Sequence, residues 1–272
     1  MENSKGFYVY GIVLQNEMEL PQRGMDPEAP VRLFHCEKIA AVVSEVPLAE
    51  FGESALAQNL KNMEWMKEKI WAHEKVLESV MDSRTVIPLK FGTIFLSEER
   101  LEKVLRDSYE AFGELLEKLE GHSEWAVKVY GHSEGLKASV EKGNPRVQAI
   151  LNEMAGKPAG VAYLLKKKLE TALAEETDVE KGRRLQEIFN RLSAHASDGK
   201  LGELSPRELT GKEMPMIFNG IFLVAKEKLA PFTQEVASLK KELSDLEWEF
   251  QQVGPFPPYN FSGFPEVKEA NR

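Results

Sequence analysis

The chain has 272 residues, 42% of them apolar and 29% charged, which is enough to build two ordinary cores and excludes wholesale disorder. A net charge of −9 without a long Lys/Arg run excludes nucleic acid and anionic lipid as main partners, since both are held through clustered positive charge. No apolar run nears the ~20 residues that span a bilayer, and the opening MENSKGFYVYGIVLQNE lacks the basic and apolar regions of a secretory signal, so a cytoplasmic protein is expected. The single cysteine, Cys36, fits a reducing compartment and reads as a small half-buried residue.

In chain order, Phe7 to Leu14 (FYVYGIVL) is rich in β-branched and aromatic residues and predicts a strand. A Pro/Gly loop follows from Pro21 to Pro30, then two strands over Val31 to His35 and Ile39 to Val46. Apolar residues at spacings of three or four from Leu56 to Val80 predict one long helix over Ser54 to Met81. Thr85 to Phe95 (TVIPLKFGTIF) is β-rich but interrupted by Pro88 and Gly92, which predicts an edge strand or bulged ribbon. Ser97 is a helix N-cap, with Glu98 and Glu99 set against the positive helix end, and an apolar stripe runs from Leu101 to Leu119. These elements predict an N-terminal α+β domain over residues 1–120.

A second domain is expected over residues 121–253. It opens on the strand WAVKVY, Trp125 to Tyr130, followed by a short segment, Lys137 to Gly143, closed by Gly143-Asn144-Pro145. Pro158 to Ala196 is a highly charged helical stretch in which Gly182 marks a candidate break. Asp198 to Glu213 carries only a weak strand signal, whereas Met216 to Ala225 (MIFNGIFLVA) reads as a strand buried on both faces. Pro231 opens a helix carrying Phe232, Val236, Leu239 and Leu243, and Leu246 to Val253 alternates as a last strand. The order β-α-(β)-β-α-β is the ferredoxin-like pattern. The tail, residues 254–272, is too proline-rich to continue the strand and is expected to run as an extended, aromatic-bearing arm.

Two segments imitate catalytic motifs. Gly131-His132-Ser133-Glu134-Gly135 matches G-x-S-x-G, the nucleophile elbow, and Asp178 and His195 follow in hydrolase order, so a serine hydrolase using Ser133 is the alternative function. Against it, Gly-His-Ser-Glu also occurs at Gly121, where it enters a strand instead of leaving one, and the helix after Ser133 is short and polar; turn chemistry used twice is the preferred reading. His73-Glu74 begins the zinc pattern H-E-x-x-H, but position 77 is Leu, so His73 reads as a core-edge histidine bonded to a neighbour. No phosphate-cradling glycine loop is present, and no cofactor, metal or catalytic residue is expected.

The residues left with binding chemistry are aromatic. Phe256, Tyr259, Phe261 and Phe264 stand among prolines in the arm, and Phe91 and Phe95 lie in the β-rich ribbon. Aromatics dominate interface energetics and proline lowers the ordering cost, so these six are candidate partner-binding residues; for the arm, the preferred reading is that it folds back and covers its own sheet or the domain junction, with docking to a partner as the sharper alternative.

Three segments, YVYGIV at Tyr8, TVIPLKFGTIF at Thr85, and FLVAKE at Phe222 followed by GPFPPYNF at Gly254, stand in the order found in the gas vesicle protein F/L family (GvpF/GvpL), which the chain resembles from about Gly6 to Phe261. IAAVVSEV, HEKVLESV, WAVKVY and AYLLKKKLE fit between them; Phe256 stands where the family tail often carries Trp, and Asp198 to Pro206 matches nothing strongly. The resemblance implies a non-enzymatic accessory or minor structural component of gas vesicles, with an N-terminal α+β domain and a modified ferredoxin-like C-terminal domain. It implies as partners the apolar shell protein GvpA and other gas vesicle accessory proteins, and a chaperone-like or nucleation role in laying GvpA into the wall.

Overall fold

The computed structural model describes residues 4–15, 19–21 and 23–263. They form two compact units, one running up to Glu124 and including the chain from Pro255 onward, the other Trp125–Gly254. Each is a mixed unit of helices and an antiparallel sheet.

The first unit is built on β1 (Lys5–Leu14), β2 (Arg32–Cys36) and β3 (Ile39–Pro47), followed by α1 (Leu48–Phe51), α2 (Glu53–Asn59) and α3 (Met63–Met81). The two short strands β4 (Val86–Pro88) and β5 (Ile94–Phe95) come next, then α4 (Glu98–Asp107) and α5 (Tyr109–Leu119). Sheet order is β2-β3-β1-β4, with β5 also on β1. The ribbon is therefore one edge broken in two, and both halves pair antiparallel with β1. Strand β1 is buried along almost its whole length, as a strand covered on both faces must be. On one face, Val76, Leu77 and Val80 of α3 pack on Tyr8, Tyr10, Val13, Val42 and Val86. Helices α4 and α5 pack on the sheet through Leu101, Leu105, Phe112, Leu116 and Leu119. The register of β1 against β3 shifts between Val9 and Gly11. The extra residue is Tyr10, and this bulge moves the inward phase from Tyr8 and Tyr10 to Val13.

The helix expected over Ser54 to Met81 is two helices. The chain breaks at Leu60 to Asn62, because Asn62 caps α3 by accepting from the backbone N–H groups of Glu64 and Trp65. Ser97 caps α4 as predicted, accepting from Arg100 N–H, but the stripe to Leu119 is likewise interrupted, at Ser108.

The second unit runs β6 (His122–Tyr130), α6 (Glu134–Gly143), α7 (Pro145–Met154), α8 (Ala159–Ser193), β7 (Asp198–Leu201), α9 (Arg207–Thr210), β8 (Met216–Ala225), α10 (Leu229–Glu242) and β9 (Glu249–Phe256). Sheet order is β7-β8-β6-β9. Its core joins Val127 and Val129 of β6, Phe222 and Val224 of β8, Ile188 and Leu192 of α8, and Phe232, Val236 and Leu239 of α10. Helix α7 was not anticipated from sequence: Gly143-Asn144-Pro145 closes one helix and opens the next, with Asn144 accepting from Arg146 and Val147 N–H and Pro145 at the first turn. Gly182 does not break α8, which runs unbroken for 35 residues, roughly 50 Å. Its first half packs on α6 and α7 through Leu173, Val140 and Val147, and its last turns pack on the sheet. Arg191 joins α8 to α10, donating to Glu235 at 2.5 Å and Glu242 at 2.6 Å. The last strand begins later than expected, after a 3₁₀ turn over Ser244–Leu246, and continues through Pro255 to Phe256. An edge strand accommodates that proline because its outer side needs no ladder donor.

Candidate functional site

The most elaborate side-chain arrangement lies in the first unit, where α3, β1, the ribbon turn and the arm meet. His73 is 1% exposed. Its ring stacks on Tyr10 (centroids 5.7 Å apart) and on Tyr259 (6.5 Å), and meets Tyr8 and Phe91 edge-on. Each imidazole nitrogen has a tyrosine hydroxyl at 2.9 Å: Nδ1 faces Tyr8 and Nε2 faces Tyr259. The histidine is hydrogen-bonded to neighbours as expected, but it lies in the core and not at its edge.

Proton bookkeeping fixes the direction of the chain. Tyr259 donates its hydroxyl proton to Glu74 Oε1 at 2.8 Å. His73 Nε2–H must therefore donate to the Tyr259 oxygen, which leaves Nδ1 of a neutral ring to accept from the Tyr8 hydroxyl. Tyr8 oxygen in turn accepts the Gly92 N–H at 3.1 Å. Gly92 holds φ +81, a conformation that favours glycine, and this turns its amide into the site. Burial pushes the His73 imidazole down to about 4, against the opposing Leu89 carbonyl, and so keeps it neutral. Burial also raises Glu74, while the Tyr259 hydrogen bond lowers it. Tyr259 is raised by burial and by the Glu74 charge, so it stays a donor.

Around this chain the polar groups are matched. Tyr10 hydroxyl meets Ser44 Oγ at 2.8 Å and accepts the Met25 N–H at 2.6 Å. Gly24 lies so near that an added Cβ would strike the Tyr10 hydroxyl. The buried Lys69 ammonium donates toward the Met25 carbonyl, sits 3.4 Å from Glu50, and lies over the Phe51 ring. The arm is held a second time by Glu124: Oε2 accepts the Asn260 backbone N–H at 2.9 Å and Oε1 accepts from Asn260 Nδ2 at 2.7 Å.

The six sequence-predicted binding residues thus occupy different environments. Phe95, on β5, and Phe261, in the arm, are buried. Tyr259 is partly buried in the hydrogen-bond chain, and Phe91 is partly buried against the same core. Phe256, at the end of β9, is 37% exposed. Phe264 lies outside the described residues.

The G-x-S-x-G motif has a packing explanation. A Cβ on Gly131 would collide with the Trp248 indole, and one on Gly135 would lie 3.1 Å from the Leu246 backbone. Trp248 also donates its indole N–H to the His132 carbonyl at 3.1 Å. Ser133 precedes α6 without a side-chain cap bond. Asp178 lies within α8 and His195 just past its end, so about 25 Å of helix separates them and no Asp–His pair can form. At the first copy, Gly121 serves a different need: φ +69 after α5.

The chain matches the family described as "Gas vesicle synthesis protein GvpL/GvpF" over residues 6–263. It belongs to that family. It is 26% identical to gas vesicle protein L of Streptomyces sp. (strain CB03234), covering 97% of each chain. It is 27% identical to gas vesicle protein F of the same organism, covering 93% of this chain and 98% of that one. Its fold is that of the crystal structure of gas vesicle protein GvpF from Anabaena sp. PCC7120, with a TM-score of 0.71 at 22% identity over 96% of this chain and 100% of that one. GvpF from Microcystis aeruginosa gives 0.66 at 20% identity, covering 95% and 99%.

The structure also leaves several large apolar side chains exposed, most of which sequence reasoning did not single out. On α3, Met63 and Ile70 stand two turns apart on one face, and Trp71 beside them is 65% exposed. In the second unit Leu164, Leu201 and Leu204 are exposed and Leu209 is 80% exposed. Ile70 and Met63 lie one and two heptads before the buried Leu77, on the same side of α3, so the stripe that is core at Leu77 runs out to solvent toward the start of the helix and periodicity alone did not mark where it does so. Among the described residues no cluster of His, Cys, Asp and Glu forms a metal site, and no helix is long and apolar enough to cross a membrane.

Proposed function

We propose that the chain is a non-enzymatic assembly factor that acts in the cytoplasm on gas vesicles, binding the apolar shell polypeptide GvpA and keeping it from aggregating until it enters the wall. The observation that carries this reading is the exposure of the large apolar side chains Met63, Ile70 and Trp71 on α3 of a chain belonging to a gas vesicle family. A shell subunit that will face gas presents apolar surface to water before assembly, and an acidic, soluble partner with large apolar side chains on a rigid helix can cover that surface. Phe256 adds an aromatic at the rim of β9, while Tyr259 and Phe261 would contribute if the arm undocks. We also read the second unit as a modified ferredoxin-like domain and the first as a separate α+β domain; the order β7-β8-β6-β9 supports this.

Co-expression tests the docking face. Wild type should carry a tagged shell polypeptide into the soluble fraction and co-purify with it. Trp71→Glu combined with Ile70→Glu should lose the complex while retaining the wild-type circular dichroism. Undiminished co-purification by a folded double variant would remove α3 from the interface.

A further inference from the structure

We propose that the first unit holds a peptide-recognition site and that the arm segment Pro257–Ser262 is its tethered ligand, a short Pro-Pro-Tyr-Asn-Phe-Ser turn that the site also accepts as a separate peptide. In sequence, ligand and site lie on opposite sides of the second unit. The polar partners of the arm, His73, Glu74 and Glu124, precede Trp125–Gly254, and the arm follows it, so the first unit is closed by a segment that arrives from the far end of the chain. The turn is shaped before it docks. Tyr259 N–H bonds to the Pro257 carbonyl, Phe261 and Ser262 N–H bond to the Pro258 carbonyl, and Ser262 Oγ donates to the Tyr259 carbonyl. These internal bonds and the two prolines with fixed φ lower the entropy that docking costs.

The site reads the turn side chain by side chain. Pro257, Pro258, Phe261 and Ser262 are all buried. The Tyr259 ring stacks on His73, and its hydroxyl accepts from His73 Nε2–H and donates to Glu74 Oε1. Phenylalanine there would take the acceptor from a buried N–H. Glu124, itself 5% exposed, accepts the Asn260 backbone N–H on one oxygen and Nδ2–H on the other. Aspartate at position 260 would set a second carboxylate against the first. Such matching of one carboxylate to both donors of one residue is how a site selects a peptide, whereas a loose cover needs only apolar contact. Because the turn binds the folded first unit and not the unfolded chain, it stabilises that unit by ligand linkage and leaves the second unit unchanged. Tethering supplies an effective concentration on the order of millimolar, which free peptide can match. The site stands or falls independently of shell binding.

A full-length chain carrying Tyr259→Ala and Asn260→Asp disables the tethered ligand, and hydrogen–deuterium exchange reads the consequence. The slowest amides of β1 and β3 should lose roughly tenfold or more protection, while those of β8 change by less than about threefold. A synthetic peptide of residues 255–263, added at about 1 mM, should then raise the protection of β1 and β3 by roughly threefold or more. The same peptide carrying Asn260→Asp should not. Rescue is readable whether the variant's first unit is weakened or unfolded, since the peptide binds only the folded form. Unchanged β1 and β3 in the variant, an equal loss in β8, absence of rescue, or equal rescue by the aspartate peptide would each overturn the proposal.

Discussion

The His73 corner of the first unit and the Gly131 corner of the second both carry motifs that look catalytic, and they are held by opposite means. At His73 the restraint is polar: a neutral imidazole spans two tyrosine hydroxyls 2.9 Å away on either side. At Gly131 it is steric: there is no room for a Cβ beside the Trp248 indole. A polar restraint brings pH dependence and a steric one does not. Resemblance to an active site therefore records a need for histidine or glycine chemistry, and only the surroundings tell what that need is.

The largest effect is expected from Gly131→Ala. Because Trp248 is buried and tied to the His132 carbonyl, the indole cannot swing aside cheaply, and the cost should be about 3 kcal/mol, or roughly 10 °C in the melting temperature of the second unit. The loss should be the same at neutral and acid pH, as calorimetry at both would read.

The His73 corner should respond to pH. Its imidazole has a folded value of about 4 against 6.5 for the free side chain, so the unfolded chain binds the proton first as pH falls. Its contribution is fully present above pH 6.5 and is lost progressively down to about 4, reaching about 3 kcal/mol. Glu74, raised in the folded state, works with the opposite sign and returns part of that loss. Denaturant titrations of His73→Phe should show a flatter stability profile over this range than wild type; an unchanged slope would place the acid sensitivity elsewhere.

Two smaller effects sharpen the contrast. Gly182 lies in the exposed interior of α8 with nothing near a prospective Cβ, so Gly182→Ala should stabilise by about 0.5–1 kcal/mol in urea melts. Ser133→Ala should change stability by less than about 0.5 kcal/mol, since Ser133 makes no cap bond, and esterase assays of both forms should show no activity.

The strands were legible because alternation and β-branching are local signals: Met216 to Ala225 was read to the residue. Helix continuity was less so. Asn62 and Asn144 act as caps through single side-chain bonds that periodicity does not register, and Gly182 weakens α8 without breaking it because the packing of Leu173 and Ile188 on either side outweighs one poor helix former. Pro255 looked like the end of a strand and is instead tolerated in an edge strand. The candidate site was the least legible. That the arm carries aromatics was plain, but the bond from Tyr259 to His73 joins residues 186 positions apart, and no short-range pattern announces it. The exposed apolar residues of α3 were hidden for a different reason, since Met63 and Ile70 fall in the same periodic stripe as the buried Leu77, while Trp71 lies off it.

Light scattering by freshly diluted shell polypeptide, with and without an equimolar amount of this chain, is the most direct measurement of whether it shields apolar surface. Wild type should suppress the rise in scattering by roughly half or more, and the Trp71→Glu, Ile70→Glu double variant should not. Scattering that climbs identically in the presence and absence of the folded wild-type chain would contradict the assembly role.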